Sequence, residues 1–147
     1  MESVVGTFTD LIGRRINDVL VNDDKTVIAF RTIEGEYLGY YASGECCNDV
    51  WFNHLTCTNA LGTGDLFDIL RGTEVLGEET KGWSDVANED KDSYDVIEDA
   101  FWSIQTSRGW IDLEVRNTHN GYYGGHVERR RELNEEEIAE LKSVRDF

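Results

Sequence analysis

Three cysteines and one histidine lie close enough in the sequence to be considered as a zinc site. Cys46, Cys47, His54 and Cys57 fall within twelve residues, and zinc takes cysteine and histidine ligands in a tetrahedral arrangement. Adjacent cysteines on an extended chain point to opposite faces, however, and the segment has no Cys-x-x-Cys pair. We therefore expect no metal, no disulfide and no cofactor, with the thiols packed as small apolar groups.

The histidines are the next residues that could carry out chemistry, as general acids or bases. His54, His119 and His126 have side chains that ordinarily titrate near neutrality. The sequence around them has no nucleophile-elbow motif and no glycine-rich loop that opens a helix, and its carboxylates are too numerous to single out a catalytic pair. We predict no catalytic residue and a non-enzymatic protein. An enzyme whose site is assembled from distant residues stays open as an alternative.

The acidic residues are unevenly distributed along the chain. The formal net charge is −16, and residues 74–99 hold ten carboxylates and two lysines, which is half of that net charge. Such an excess of negative charge excludes favourable contact with nucleic-acid phosphates, because that contact depends on Lys and Arg side chains that release counterions. The charge therefore predicts a basic protein partner, with simple solubilisation as the alternative reading.

We predict that this acidic stretch is the partner-binding surface. Its carboxylates supply the electrostatic field, and a tryptophan with no apolar neighbours in sequence supplies an anchor. The predicted residues are Glu78, Glu79, Trp83, Asp85, Glu89, Asp90, Asp92 and Asp95. A row of carboxylates can occupy a basic groove in place of DNA, which carries one charge per roughly 1.7 Å of axis. The alternative is a small-molecule binder, such as a sponge for a nucleotide immune signal, that holds phosphate with Arg108 or the basic run 129–131.

The segments that position these residues are typical of antiparallel strands. Residues 16–21, 26–33 and 36–42 are β-branched or alternating runs separated by turn sequences, which predicts a three-stranded meander. Alternation is clearest in 110–116, which pairs with 97–106 across a short turn. Further strands are predicted at 50–52, 73–76 and 122–127. The sheet therefore has seven or eight strands, arranged as meanders and hairpins.

Helical signals are few and lie in two places. Residues 65–70 have apolar spacing between two glycines and predict a short middle helix. Asn134 and Glu137 form a capping-box pattern, and the apolar stripe that follows predicts a C-terminal helix at about 135–145. Residues 77–95 lack periodicity and predict a solvated loop. The expected fold class is α+β with a mostly antiparallel sheet.

Length and composition predict one acidic domain that spans residues 1–147. The chain is 39% apolar with four Trp, six Tyr and six Phe, enough to form a core. No apolar run approaches the roughly 18 residues of a membrane helix, and the N-terminus lacks the basic flank of a signal peptide. We expect a cytoplasmic protein with no membrane partner.

Residues 44–50 (GECCNDV) and 120–123 (NGYY) resemble motifs of a family of small phage and prophage proteins of unknown function. The resemblance extends over much of residues 10–128, through the meander, the Cys-Cys turn and the last hairpin. It implies a small accessory protein that binds and inhibits a host component, in defence or nucleic-acid handling, inside an infected cell. The acidic segment after Gly77 and the tail after Val127 depart from the family pattern.

Overall fold

The computed structural model describes residues 7–44, 49–59, 71–85, 96–119, 125–130, 133–144 and 147. A 3-10 turn at Thr9–Leu11 opens this part of the chain, and a single α-helix, α1 (Glu135–Ala139), lies near its end. The strands are β1 (Arg15–Val21), β2 (Val27–Thr32), β3 (Tyr37–Ser43), β4 (Asp49–Asn59), β5 (Thr73–Asp85), β6 (Val96–Thr106), β7 (Gly109–His119), β8 (His126–Arg130) and β9 (Lys142–Ser143). Every pairing between them is antiparallel, which confirms the predicted sheet with nine strands instead of seven or eight.

The strands form one sheet in the order β4-β7-β6-β5-β1-β2-β3-β8, with β9 beside β1. We call its two parts the β1–β3 half, which includes β8, and the β4–β7 half. Strand β5 joins the halves, because its first residues pair with β1 through Arg15↔Glu74 and Ile16↔Thr73 while the rest pairs with β6. The predicted meander is β1-β2-β3, and the predicted hairpin of strongest alternation is β6-β7.

Local turn chemistry sets the register of the meander. The side-chain oxygen of Asn22 accepts the backbone N–H groups of Thr26 at 2.9 Å and Val27 at 3.0 Å, and Lys25 takes a left-handed φ of 59°. Gly35, with φ 89°, closes the β2–β3 turn, where a side chain would be strained. These turns place every apolar residue of the meander on its observed face, because a one-residue slip would reverse all of them.

The halves share one hydrophobic core, and Phe8 lies at its centre. The Phe8 ring centroid is 6.1 Å from that of Phe30, 4.4 Å from Tyr40 and 5.7 Å from Trp102. Because Phe30 and Tyr40 belong to the β1–β3 half and Trp102 to the β4–β7 half, the segment before β1 packs between the inner faces of both. Buried aromatic rings in edge-to-face contact stabilise the junction beyond their buried area.

The outer face of the β1–β3 half is covered as well. Leu20, Val27 and Ala29 form a second buried cluster with Leu141, and Leu133 packs against it. A Cβ atom at Gly39 would lie only 3.0 Å from the Leu133 side chain, so the absence of a side chain there permits the close approach. The segment around α1 therefore buries the second face of this half.

The predicted C-terminal helix is wrong over its second part. The capping box forms as predicted, since Asn134 accepts the Glu137 N–H and Glu137 accepts the Asn134 N–H, but α1 ends at Ala139. Residues 142–143 instead become β9, and the N–H of Val144 donates to the Val19 carbonyl at 2.9 Å. Sheet pairing and the burial of Leu141 override the helical pattern, which a short isolated helix cannot sustain by itself.

The predicted loop 77–95 is wrong over its first nine residues, because β5 continues to Asp85 in register with β6. Bulges between Val75 and Gly77 and between Lys81 and Ser84 interrupt the alternation that sequence analysis relies on. Strand β4 is likewise longer than the predicted run 50–52. The predicted strand at 122–127 is described only from residue 125 onward, where β8 covers His126–Arg130 and so continues beyond the predicted end. The predicted middle helix at 65–70 and the loop residues 86–95 lie outside the described residues.

Candidate functional site

The outer face of the β4–β7 half remains accessible, in contrast to the covered β1–β3 half. Trp102 and Leu113 point into the core and are 1% exposed. Their neighbours alternate to the other face, since successive residues on a strand point to opposite sides. Phe101 and Trp110 lie on that face and are 40% and 38% exposed. Large exposed rings on an open sheet face mark it as a candidate binding surface.

A groove of about 950 Å³ lies on this face and crosses all four strands. Its residues come from β4, β5, β6 and β7 at positions that face one another in the register. The groove is lined by His54, Thr56, Glu78, Glu79, Thr80, Lys81, Phe101, Trp102, Ser103, Asp112, Leu113 and Glu114. Its volume lies at the upper end of the range typical of ligand sites.

A β-bulge in β4 forms the first fixed part of the groove. The register shifts between Phe52, which faces Val115, and His54, which faces Glu114, so that Asn53 is the extra residue. Asn53 Nδ2 donates to Glu114 Oε2 at 2.7 Å, and His54 Nε2 lies 3.5 Å from the same oxygen. The bulge therefore orients two neighbouring side chains toward one carboxylate. Bulges commonly reorient side chains in this way at functional sites.

This hydrogen-bonded chain continues on both sides of Glu114. Trp51 Nε1 donates to Asn53 Oδ1 at 3.1 Å, which orients the amide. At the other end, His54 Nδ1 lies 3.2 Å from the Phe147 carbonyl oxygen. The Glu114 side chain is 15% exposed. Its position is therefore set by neighbours before any ligand arrives.

Asp112 is the second fixed carboxylate of the groove. Ser103 Oγ on β6 donates to its Oδ1 at 2.8 Å, and Thr58 Oγ1 on β4 lies 3.4 Å from its Oδ2. Because the serine hydroxyl is donated to Asp112 while His54 bonds Glu114 and Phe147, these described residues do not form a serine–histidine pair. Their arrangement holds negative charge in place.

One end of the groove adjoins a buried ion pair. Arg116 on β7 donates through Nε to Asp99 Oδ1 at 2.9 Å and through Nη2 to Asp99 Oδ2 at 3.0 Å, and the two residues are register partners. The hydrogen bond to Asp99 raises the pKa of the Arg116 guanidinium further above its ordinary value. Two parallel bonds fix the planar groups relative to each other and tie β6 to β7 beside Phe101.

The groove is acidic overall. Its lining contains four carboxylates against one lysine and one histidine. Glu79 and Lys81 lie at exposed positions of β5 and face Ser103 and Phe101 in the register. The arrangement can accept positive charge and stack a planar group on an aromatic ring. It is unsuited to phosphate, because like charges repel.

The predicted partner-binding residues divide between different environments. Glu78 and Glu79 both line the groove, but Glu78 is the register partner of the buried Ile104, and its Oε2 accepts the Phe8 N–H at 2.8 Å. Trp83 is partly buried and packs against the main core, with its ring beside Gly125. Asp85 ends β5. The remaining predicted residues, Glu89, Asp90, Asp92 and Asp95, lie outside the described residues.

The candidate zinc ligands are placed on different faces as far as the structure describes them. Cys57 is buried in the main core, and His54 faces the groove. Among the described residues, no three His, Cys, Asp or Glu side chains are grouped to hold a metal ion. Cys46 and Cys47 lie outside the described residues, so the prediction for them stays a prediction.

Of the basic residues proposed for phosphate binding, those that the structure describes do not line the groove. Arg129 Nη1 donates to the Gly39 carbonyl at 3.0 Å, its Nε lies 3.3 Å from Asp10 Oδ2, and its guanidinium lies 5.4 Å from the centroid of the Tyr40 ring. Arg108 lies in the turn between β6 and β7. Arg131 lies outside the described residues. Arg129 therefore acts as a structural residue of the β3–β8 edge.

The residues at the centre of the groove were not predicted from the sequence. Asp112 and Glu114 were visible as the polar positions that alternate with Ile111, Leu113 and Val115. That alternation identifies the outward face of a strand without showing which strands lie beside it. The β4 bulge left no sequence signal, so the approach of Asn53 and His54 to Glu114 was not predicted.

Comparison with known proteins identifies the family of the chain. The model of a family described as Domain of unknown function (DUF7448) matches residues 9–128, and the chain belongs to this family. Searches of curated proteins and of solved structures give no significant match. In the described part of the chain, no helix has the length and apolar character needed to cross a membrane.

Proposed function

We propose that this member of the family is a non-enzymatic binding protein that presents the groove of the β4–β7 half to a basic protein partner. The observation that carries the proposal is an open sheet face on which carboxylates are held by hydrogen bonds around an exposed aromatic ring. Fixed carboxylates favour a positive partner without the entropy cost of ordering them on binding. The exposed ring adds apolar contact area at the centre of the surface.

The biological role we propose is that of a phage-type accessory protein in the cytoplasm of an infected cell. Its target is a basic host protein of defence or nucleic-acid handling, which it inhibits by occupying the surface that would otherwise hold nucleic acid. The net charge of −16 supports fast, electrostatically steered association with such a target. A nucleotide sponge is the weaker alternative, because the charged residues that line the groove are mainly carboxylates.

The proposed surface extends the acidic stretch predicted from the sequence. Glu79 belongs both to that stretch and to the groove, so the two surfaces are continuous on β5. Asp112 and Glu114 add charge from β7, which is distant in sequence. We propose that the acidic residues at 89–95 act with this surface, and that Trp83 supports it from the core side.

The test compares two variants that remove the same number of charges. The groove variant is Glu79→Gln with Glu114→Gln, and the matched control is Glu135→Gln with Glu136→Gln at exposed positions of α1. Each immobilised chain captures proteins from host lysate over a salt series, and the affinity of the purified captured protein is then measured for every variant. At about 0.15 M salt the screening length is about 8 Å, so physiological salt already weakens the distant charges.

We expect the groove variant to bind its partner about 5- to 30-fold more weakly, from roughly 0.5–1 kcal/mol for each charge. Its affinity should also depend less on salt. The control should keep both the affinity and the salt dependence. Unchanged binding by the groove variant, with circular dichroism showing a native sheet, would show that the functional surface lies elsewhere.

A further inference from the structure

Phe101 has an environment that points to a particular ligand group. It lies on β6, which is paired on both sides, and its register partners are Glu114 on β7 and Lys81 on β5. A ring that is 40% exposed in the middle of a sheet buries less area than the core positions beside it. With carboxylates around it, the accessible ring face is suited to a cation, because the face of an aromatic ring carries negative electrostatic potential.

Glu114 supplies a carboxylate oxygen beside this ring. Both of its described contacts, from Asn53 at 2.7 Å and from His54 at 3.5 Å, use Oε2. Among the described residues, Oε1 therefore has no hydrogen-bond partner. Glu79 lies diagonally across on β5, where its side chain faces Ser103. An incoming cation is thus offered an aromatic face with Glu114 directly across on β7 and Glu79 diagonally across on β5, where Lys81 is the direct neighbour.

We infer that the groove binds an arginine side chain of an extended partner segment, with the guanidinium stacked on Phe101 between Glu114 and Glu79. This inference rests on the proposed function and names the chemistry that the same site would recognise. Arginine fits better than lysine, because its guanidinium is planar, weakly hydrated and able to stack while it donates several hydrogen bonds. Lys81 opposes any cation at the groove, and its flexible stem lets the ammonium group stay in solvent.

The test uses three capped peptides that differ at one residue in a Gly/Ser background: arginine, lysine and citrulline, the neutral isostere of arginine. Each is titrated into the isotopically labelled full chain, and binding is followed by amide chemical shifts. We expect the arginine peptide to shift the amides of Phe101 and Glu114 in a saturable way. We expect the lysine peptide to bind at least about threefold more weakly. Citrulline should give no saturable shift.

Two substitutions separate the ring from the charge. Phe101→Leu keeps an apolar side chain and removes the ring, and it should weaken arginine binding about two- to fivefold. Glu114→Gln should weaken it while leaving the citrulline result unchanged. The matched control is Tyr41→Leu, which removes a ring that is 39% exposed on β3, in the other half of the sheet and outside the groove. This control should leave the peptide affinity unchanged.

The outcomes distinguish this inference from the proposed function. Equal affinities for arginine and lysine peptides, or full affinity in Phe101→Leu, would overturn the arginine site and leave a general acidic surface standing. If no peptide binds but neutralising Glu79 and Glu114 still weakens partner binding, the arginine site is likewise overturned while the proposed function is retained. Failure of the proposed function is recognised separately, by partner capture that does not respond to groove neutralisation.

Discussion

The Asp99–Arg116 pair provides a stability test whose magnitude follows from the structure. The Asp99 side chain is 6% exposed and that of Arg116 is 28% exposed, and two hydrogen bonds of 2.9 and 3.0 Å join them. Replacing Arg116 with Met leaves a buried carboxylate without its cation. Removing one partner of a buried pair costs about 3–5 kcal/mol, and the partial exposure of Arg116 places this case near about 3 kcal/mol.

The measurement is a double-mutant cycle by urea denaturation with Arg116→Met, Asp99→Asn and both together. The double variant should lose at least about 1 kcal/mol less than the sum of the single variants, because the second change removes the stranded charge. Thermal unfolding of Arg116→Met should shift down by about 6–12 °C, at about 2–4 °C per kcal/mol for a chain of this size.

The control is Lys142→Met, which removes the exposed pair with Asp23. The side chains of Lys142 and Asp23 are 70% and 78% exposed, so we expect the free energy of unfolding to fall by less than about 1 kcal/mol. A loss for Arg116→Met no larger than that of the control, or strict additivity in the cycle, would refute the reasoning. The Asp99 carboxylate would then be hydrated or satisfied without Arg116.

Three further predictions concern single residues. Tyr40→Phe should leave the free energy of unfolding unchanged or raise it, measured by urea denaturation, because the hydroxyl is buried without a hydrogen-bond partner among the described residues. Burial raises the pKa of Tyr40, so the folded state favours the neutral phenol. The contribution of this group to the free energy of unfolding should be full below pH about 10 and be lost as pH rises further, because Tyr40 ionises first in the unfolded chain. Alkaline titration of tyrosine absorbance should show a late component in the natural chain that is missing in Tyr40→Phe. Gly35→Ala should cost about 1–2 kcal/mol by the same denaturation assay because of its φ of 89°. The control is Gly82→Ala, whose added Cβ atom would meet no atom within 4 Å and should change stability by less than about 0.5 kcal/mol. Equal losses of stability at the two glycines would contradict the strain argument. Asn134→Ala should lower the free energy of unfolding by about 1 kcal/mol, because it removes the capping box. Hydrogen exchange of the α1 amides should become faster. Unchanged exchange would show that packing alone holds the helix.

The sequence predicted the strands whose signals are local. Turn residues and alternation located β1, β2 and β3, and the same signals located β6 and β7. These signals are reliable because a short hairpin fixes both pairing and register with nearby residues. Bulges interrupted the alternation in β4 and β5. For this reason β4 was predicted too short, and the second part of β5 was predicted as a loop.

The groove depends on long-range pairing and was therefore only partly predictable. Glu79 was identified from charge alone, but its groove partners Asp112 and Glu114 lie on another strand. A local pattern shows that these residues face outward and does not show that His54 and Asn53 lie beside them. The C-terminal helix was predicted too long for the same reason, because the burial of Leu141 and the pairing of 142–143 with β1 depend on distant strands.

The residues after α1 join two strands that are far apart in the sheet order. Lys142–Ser143 pairs with β1, while the N–H and carbonyl of Phe147 bond Leu55 of β4 at 2.9 and 3.0 Å. The ribosome makes both recipient strands long before it makes this segment, so their edges stay unpaired until residues 142–147 have been made. Exposed strand edges promote association between chains. These contacts therefore form only after residues 142–147 have been made, and their long sequence separation makes them slower to form than the local hairpins.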